Sequence, residues 1–576
     1  MTTRPTLPLL IATSALSALL AGCGSTPLPP WPSSSTAPRP TAPAPLPAQR
    51  GTVVPSTGAP QPGVTITPLG REPLPQGAPE AGLTDNAAVA ARFPDPAVRY
   101  DTPGLADGRR SFTTNDEASA WLLRLAARSA APGGTRLAVL PLGRSQRGTP
   151  LQALLATRAQ GTSPDSLDAT HRPTVVLIGG QRGDEPASTE ALLVIARELA
   201  PGGLLEPLLD RINVIAVPRA NPDAAELGQR ATANGTNLER DHLLLATPEA
   251  QALAVLVRNY RPIAVLDARE YPAAGDILQK FHALPRQDAL LQYATVANEP
   301  EFITKAANEW FYSPMMDALR AQSLTSEWYY TTTPNPEDLR IAMGVTQPDA
   351  SVNANGLKNA VSLLVATRGA GLGRAHIQRR VHTQVTALSS ALRSAADRAA
   401  NLGEIRSYVN RDVSALACKG PVVVDAGPTP SQRDLTLIDP DTGMDRTTRV
   451  DLDSSRPLRP LKTRARPCGY WLSANTTTAV ERLRLLGVQV MHVVEPGNAL
   501  AETSADPGSN TPPARAALDI PADSYYVPLN QSLANLAVAA LEPDAPGGYL
   551  ANHLIPSPAD TARIMVPPSL VFDEQD

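Results

Sequence analysis

The chain has 576 residues, too many for one ordinary core, which indicates two or more folded units. Its formal net charge of -4 excludes a general attraction to nucleic acid, so no nucleic-acid partner is expected. Proline is concentrated near the start, where residues 24–95 hold 17 of the 59 prolines. Such a segment cannot bury enough apolar surface to fold, so we expect an extended, disordered linker over residues 24–95.

The first residues predict an export signal. Arg4 precedes a short apolar run, residues 7–20, which is too short to span a bilayer as a permanent helix. The run ends in LAGC, which resembles a bacterial lipobox, and the resemblance implies a lipid on Cys23. The alternative is an ordinary signal peptide with a chance cysteine. We expect a lipoprotein signal peptide over residues 1–23 and a protein anchored by lipid in the cell envelope, at the outer membrane facing the periplasm.

Two further cysteines, Cys418 and Cys468, lie in the C-terminal third of the chain. An even pair in an oxidising compartment indicates one disulfide between them. Two buried free thiols are equally consistent with the sequence.

Apolar strands alternate with helical segments from residue 110 onward. This alternation predicts an α/β fold with a mixed, largely parallel sheet and helices on both faces. Helices are predicted at residues 118–131, 188–200, 248–260 and 377–401. Strands are predicted at residues 136–142, 151–157, 174–178, 212–217, 263–266 and 361–365, the first two forming an adjacent pair.

Polar side chains follow four of these strands. They occupy residues 182–185, 221–223, 267–270 and 367–368. Ligands of parallel sheets bind outside the carboxyl ends of the strands, so we expect these four groups to share a site at one edge.

A second unit is predicted from residue 402. It contains a strand at 422–425, a helix at 477–486 and a strand at 488–494. We therefore expect a main domain over residues 96–401 and a smaller C-terminal α/β domain over residues 402–576. No catalytic constellation is evident in the second unit.

Five phrases of the main domain carry a family resemblance. They are GGQRGDEPASTEALL, PRANPDAAE, NGTNLERDHL, VLDAREY and SLLVATRGAG. In this order and at this spacing they resemble the peptidase M14 family, the zinc carboxypeptidases. The resemblance implies one zinc ion held by two His and one Glu, a second Glu as general base, and hydrolysis of C-terminal peptide bonds.

The residues at the family's essential positions differ from that pattern. Its metal-binding Glu is retained as Glu185, but its two His positions are Arg182 and Arg269, and its catalytic Glu position is Ala366. Arginine keeps its proton and offers a metal no lone pair, and alanine cannot move a proton. The histidine nearest to these phrases, His242, is interpreted as structural. The resemblance therefore implies a degenerate zinc site without an intact catalytic set.

The family's substrate-binding positions are partly retained. Its Asn-Arg pair, which receives the terminal carboxylate of the peptide, corresponds to Glu239 and Arg240. Arg230 matches the arginine that helps to polarise the scissile carbonyl. A guanidinium group pairs with a carboxylate in bidentate fashion, so we expect a peptide or peptidoglycan-type ligand with a free carboxylate.

The charges at the zinc positions suggest why two arginines stand there. Arg182, Glu185 and Arg269 sum to +1, as would a zinc ion, two neutral histidines and one glutamate. We hypothesise that the three side chains form a buried cluster in place of the metal, with Glu185 accepting hydrogen bonds from both guanidinium groups.

Three interpretations follow. The first is a lipid-anchored, catalytically impaired pseudopeptidase that needs no cofactor. The second is an active zinc metallocarboxypeptidase or amidase with displaced ligands, which would need zinc. The third is a structural envelope lipoprotein that binds its partner through the C-terminal domain. We favour the first because both His positions and the base position are replaced together.

Overall fold

A computed structural model of the protein describes residues 86–128, 134–503 and 514–573. The predicted signal peptide, Cys23 and most of the predicted linker lie outside these residues. Within the described ranges, no helix is both long and apolar enough to cross a bilayer.

Helices and strands alternate through the first 300 described residues, and strands dominate the remainder. The strands are β1 Arg136–Arg144, β2 Pro150–Thr157, β3 Thr174–Ile178, β4 Asn213–Val217, β5 Ala264–Pro272, β6 Ala289–Tyr293, β7 Ser326–Trp328, β8 Tyr330–Thr331, β9 Arg340–Met343, β10 Val361–Ala370, β11 Pro421–Ile438, β12 Asp445–Ala465, β13 Gly469–Leu472, β14 Met491–Glu495, β15 Gly497–Thr503, β16 Ala514–Ile520, β17 Tyr525–Pro528, β18 Thr561–Ile564 and β19 Val571–Phe572. The α-helices are α1 Ala87–Ala90, α2 Asn115–Ala126, α3 Pro164–Asp168, α4 Pro186–Glu198, α5 Pro222–Leu227, α6 Pro248–Tyr260, α7 Gly275–Phe281, α8 Glu301–Ala306, α9 Ser313–Ala321, α10 Ser351–Gly356, α11 Ile377–Asp397, α12 Ala399–Ala415, α13 Thr477–Leu486 and α14 Ala534–Leu541.

The largest sheet has eight strands in the order β1-β2-β4-β3-β5-β10-β6-β7. Its four central strands, β4, β3, β5 and β10, are parallel to one another, while β2 and β6 flank them in antiparallel orientation. Every residue of β3 and β4 is buried, as expected for apolar strands covered on both faces. The predicted α/β fold with a mixed, largely parallel sheet is confirmed.

Local sequence signals account for where several helices begin. Thr114 and Glu117 form a reciprocal capping box at the start of α2. Helices α4 and α6 begin with Pro186 and Pro248, at a position where a missing backbone N–H costs no hydrogen bond. The predicted single helix over residues 377–401 is wrong, because α11 ends before Arg398 and α12 starts anew after it.

Two strands are longer than their apolar runs predict. The polar groups at 267–270 and 367–368 were expected in turns after the strands, but they lie within β5 and β10. The two strands pair in parallel from Val361 and Ala264 onward, and the pairing continues through the polar residues. Backbone hydrogen bonds and buried ion pairs thus continue both strands through polar residues, at which the apolar pattern alone predicts that the strands end. The C-terminal strand predicted at 488–494 begins later, at Met491.

The C-terminal part forms two further sheets. The long hairpin β11–β12 joins β9 and β8 in a four-stranded sheet, and seven strands form the sheet β16-β15-β18-β13-β17-β14-β19. Residue 402, where a second domain was expected to begin, lies inside α12. A disulfide links Cys418 and Cys468, with an S–S distance of 2.03 Å. The additional C-terminal sheet with its helices agrees with the predicted α/β class of this part.

Candidate functional site

The turn between β3 and α4 carries the first two site residues. Arg182 lies in this turn, and Glu185 is the residue immediately before the first turn of α4. Gly183 between them cannot be replaced without a shift, because an added Cβ would collide with the backbone of Ala224. The close approach of two backbone segments therefore explains the glycine and fixes the direction from which Arg182 enters the site.

Strand β5 supplies the second arginine. Asp267 and Arg269 are two residues apart on this strand and so share one face, while Glu270 projects to the other. Arg269 Nη1 lies 3.7 Å from Asp267 Oδ2. On the neighbouring strand β10, Ala366 is the register partner of Arg269. The structure thus brings together the turn after β3, the middle of β5 and the middle of β10.

Arg182, Glu185, Glu239 and Arg269 form one buried cluster, here called the arginine cluster. Arg182 Nη1 donates to Glu185 Oε1 at 3.1 Å, and Arg182 Nη2 is paired with Glu239. Arg269 Nη2 is paired with the other carboxylate oxygen of Glu239. All four residues are buried.

The bridging carboxylate differs from the one that the sequence predicted. Glu185 was expected to join both guanidinium groups, but its second oxygen instead accepts a hydrogen bond from the backbone N–H of Glu270, at 3.1 Å. Glu239 makes the bridge, because a short 3-10 helix, Leu238–Arg240, carries it over the carboxyl ends of the strands. The formal charges of the four side chains therefore sum to zero rather than to +1.

The pKa values of the two arginines are shifted in opposite directions, up for Arg182 and down for Arg269. Burial is the largest single effect on Arg182 and lowers its pKa, but Glu185 and further neighbouring groups together outweigh burial and raise that pKa. Burial and the charge of Arg182 lower the pKa of Arg269. Arginine titrates so far above neutrality that both groups remain charged, and each therefore needs a carboxylate partner.

Two aspartates beside the cluster have strongly altered acidity. Burial, followed by repulsion from Glu185, raises the pKa of Asp184 to about 7. Burial also raises the pKa of Asp267 to about 7, although Gln181 Nε2 donates to its Oδ1 at 2.6 Å. Gln181 Oε1 is in turn 2.8 Å from Nε2 of His242, whose pKa burial lowers to about 3. His242 is therefore neutral, as suits a structural histidine.

Asp267→Asn should stabilise the protein more at about pH 8 than at about pH 5. The folded-state pKa of Asp267 lies above the ordinary value of 3.8, so the native state holds a proton that the unfolded chain has lost. The contribution of Asp267 to the free energy of unfolding therefore falls as the pH rises from about 4 to about 7. The asparagine variant does not show this fall, because its side chain does not titrate. The change in the free energy of unfolding caused by Asp267→Asn should differ by more than about 1 kcal/mol between the two pH values. Urea unfolding of both proteins at each pH measures it. An equal effect at both would contradict the buried, protonated aspartate.

Most of the residues that were predicted to bind a ligand are already engaged by other side chains of the protein. Arg240 donates from Nε to Asp349 Oδ1 at 2.9 Å. Arg230 lies 3.8 Å from Asp184 Oδ2 with half of its side chain exposed, so it is the most accessible guanidinium of this site. Glu239 is in the arginine cluster instead of facing a ligand. Ala366 is buried and packs in an apolar cluster with Tyr271, among others.

One buried ion pair near the site was not predicted from the sequence. Arg380 of α11 pairs with Glu270 in bidentate fashion, Nε to Oε1 at 2.7 Å and Nη2 to Oε2 at 2.9 Å. The backbone N–H of Ala187 also donates to Glu270 Oε2, at 3.1 Å. Glu270 thereby ties β5 to α4 and α11. The only sequence signal was its position in the strand, on the face opposite to Arg269.

The donors at this site do not fit a zinc ion. Two guanidinium groups have no lone pair, and the carboxylate of Glu185 is already engaged by Arg182 and a backbone N–H. Over the described ranges, no group of three or more His, Cys, Asp or Glu side chains is arranged to hold a metal.

Comparison with known proteins points to one family. Residues 123–273 match the family model described as zinc carboxypeptidase, Peptidase_M14. This span includes Arg182, Glu185, Glu239 and Arg269 but not Ala366. Carboxypeptidase 2 of Trichophyton rubrum is 27% identical over 513 residues, covering 82% of this chain and 91% of that protein.

Two further similarities cover smaller parts of the chain. Carboxypeptidase D of Mus musculus is 35% identical over 134 residues, which are 21% of this chain and 10% of that protein. A metallo-carboxypeptidase structure from Burkholderia cenocepacia has 17% identity and a TM-score of 0.35, covering 49% of this chain and 69% of that one.

Proposed function

Because the chain belongs to the zinc carboxypeptidase family, we propose that it is a catalytically impaired member, a pseudopeptidase, which binds ligands bearing a free carboxylate. One observation carries the proposal. Arg182 and Arg269, at the positions that the family resemblance equates with two zinc-binding histidines, are both ion-paired to Glu239. A cation brought to this place would be repelled by two guanidinium groups and would find no histidine.

The proposed impairment extends to proton transfer. A zinc peptidase needs a metal-bound water and a base to take its proton. The family's base position, Ala366, is a methyl group packed among apolar side chains. The nearby carboxylates of Glu239 and Glu270 are each ion-paired with arginine, so neither is a free base beside this position.

The alternative, an active metallocarboxypeptidase or amidase, rests on the retained Glu185 and Arg230. It would require the arginine cluster to open and new ligands to arrive from elsewhere. Breaking a buried ion pair without replacing either partner typically costs about 3 to 5 kcal/mol, which a weak metal site does not recover. The alternative therefore requires a larger rearrangement of this site than the pseudopeptidase does.

The proposed ligand is a peptide or peptidoglycan-type molecule ending in a free carboxylate. Arg230 is half-exposed and only loosely paired, so it is the guanidinium that can meet an incoming carboxylate at least cost. Arg240 would join by exchanging its partner Asp349 for the ligand.

Arg230→Ala should weaken binding of a C-terminal peptide acid about tenfold, the loss expected for one charge-assisted hydrogen bond. Calorimetric titration with a panel of peptide acids tests this, and the matching peptide amides serve as ligand controls. Arg261→Ala is the matched protein control, since Arg261 is a comparably exposed, ion-paired arginine elsewhere. The wild-type protein should leave the peptides uncleaved, whereas turnover with added zinc would overturn the impairment. Equal affinity for acids and amides would overturn the carboxylate preference.

We further propose that the protein is held in the cell envelope by a lipid on Cys23, at the outer membrane and facing the periplasm. Cys23→Ser should therefore leave the protein unprocessed or released from the membrane, because the serine hydroxyl cannot form the thioether to the lipid. Fractionation with and without detergent, followed by mass measurement of the mature N-terminus, tests this. Unchanged membrane association of the variant would instead favour an ordinary signal peptide.

A further inference from the structure

Two guanidinium groups converge on a single carboxylate in the arginine cluster. Arg182 and Arg269 each use Nη2, and each contacts a different oxygen of Glu239. The side chains of Arg182, Arg269 and Glu239 are 10%, 7% and 10% exposed. Proteins commonly bind a carboxylate ligand with buried guanidinium groups that contact both of its oxygens. Here the carboxylate belongs to the protein itself.

The arginines and the glutamate come from different kinds of structure. Arg182 lies in the β3–α4 turn, and Arg269 lies on the central strand β5. Glu239 lies in the connection between α5 and α6, whose residues 233–235 are exposed. Within this connection, Asn237 Nδ2 donates to Glu239 Oε1 at 3.2 Å. The two arginines therefore form a receptor at the sheet, and the connection between α5 and α6 supplies the carboxylate that fills it.

The receptor is not saturated by Glu239. Arg269 Nε is buried and makes no hydrogen bond within the described part of the chain. Arg182 has a second carboxylate, Glu185, which stays in place whatever happens to Glu239. Removing the side chain of Glu239 would thus leave a space faced by Nη2 of Arg182 and Nη2 of Arg269, both without the acceptor that they contact now.

We propose that Arg182 and Arg269 form a carboxylate-binding site whose internal ligand is Glu239. A free carboxylate binds there when the Glu239 side chain is absent, and Glu239 competes with it in the natural protein. The inference rests on the proposed function and goes beyond it, because it adds a second carboxylate-binding pair to Arg230 and Arg240 and makes Glu239 an autoinhibitory group.

The test is thermal unfolding of the full chain carrying Glu239→Ala, with acetate as the probe. Sodium acetate at about 100 mM should raise the Tm of this variant by on the order of 2 °C or more over sodium chloride of equal ionic strength. The natural protein should show no difference between the two salts, because Glu239 occupies the site. Acetamide, which has the same shape without the charge, should have no effect on either protein.

The matched control is the double variant Arg269→Ala/Glu239→Ala. It lacks one of the two guanidinium groups, so its Tm should be the same in acetate and in chloride. An acetate effect of equal size in the double variant, or none in Glu239→Ala, would overturn the proposal. If Glu239→Ala does not fold in chloride, Glu239→Ser replaces it with formate as the probe. If neither variant folds in chloride, both should refold in the carboxylate salt, and failure to do so contradicts the proposal.

The outcome is separable from that of the proposed function. Zinc content and peptide turnover decide whether the protein is an impaired peptidase, and neither depends on acetate. Absence of zinc and turnover together with an absent acetate effect would remove only the internal-ligand inference.

Discussion

Arg182→His/Arg269→His should produce a protein whose thermal stability depends on zinc. Without metal, the double variant leaves Glu239 buried without its two guanidinium partners and Glu185 without Arg182. Removing one side of a buried ionic group typically costs about 3 to 5 kcal/mol, so the metal-free variant should unfold well below the natural protein.

Zinc should restore part of this loss. Two imidazoles and one carboxylate are a ligand set that zinc accepts, and Glu185 would be free to serve as the carboxylate. Binding to the native state alone stabilises by about 2.7 kcal/mol when the free metal is at 100 times its Kd. Thermal unfolding in zinc and in a chelator measures the effect.

The control is Arg182→Lys/Arg269→Lys, which retains both charges and should ignore zinc. The histidine variant should still hydrolyse peptides poorly, because Ala366 supplies no base, and only the further change Ala366→Glu would complete the family's set. A histidine variant that ignores zinc would contradict the assignment of Arg182 and Arg269 to the family's metal positions.

Glu185→Ala should lower the free energy of unfolding by about 3 kcal/mol, the lower end of the range for a broken buried ion pair. The side chain of Glu185 is 1% exposed and accepts hydrogen bonds from Arg182 and from the backbone N–H of Glu270. Its removal leaves both donors without this acceptor, although Arg182 keeps Glu239. Urea unfolding measures the loss.

The control for this change is Glu404→Ala. Glu404 is exposed, and surface substitutions of this kind usually change stability by less than about 0.5 kcal/mol. Equal effects of the two substitutions would contradict a buried role for Glu185.

The sequence was sufficient where the signals were local. Arg182 and Glu185 are three residues apart in one turn, so their proximity follows from the chain itself. The central strands β3 and β4 were evident as short apolar runs, and the helix predicted at residues 248–260 matches α6. The nearness of residues 267–270 to this turn was predicted from the pattern of strand ends, whereas the metal position of Arg269 came from the family resemblance.

Contacts made by distant segments were not predictable in this way. The role of Glu239 depends on a loop folding across the strand ends, and the pairing of Glu270 with Arg380 depends on how α11 packs. No repeating pattern in the local sequence predicts either contact. The lengths of β5 and β10 were underestimated for a related reason, since their polar residues are paired only after the tertiary structure has formed.

The hairpin β11–β12 shows the same limit. Only residues 422–425 were expected in a strand, yet β11 runs from Pro421 to Ile438. The hairpin contains several prolines and many charged residues, which are depleted in ordinary strands. Its extent is set by pairing along the whole of β12 and by the contact of β12 with β9.

The zinc content of the natural protein is the sharpest test of whether an arginine cluster stands where the family holds its metal. The purified chain is incubated with excess zinc, dialysed against metal-free buffer and subjected to elemental analysis. We predict far less than one zinc per chain, because Arg182 and Arg269 supply charge of the wrong sign and no lone pairs. Close to one zinc per chain would contradict the account and favour an active metallocarboxypeptidase.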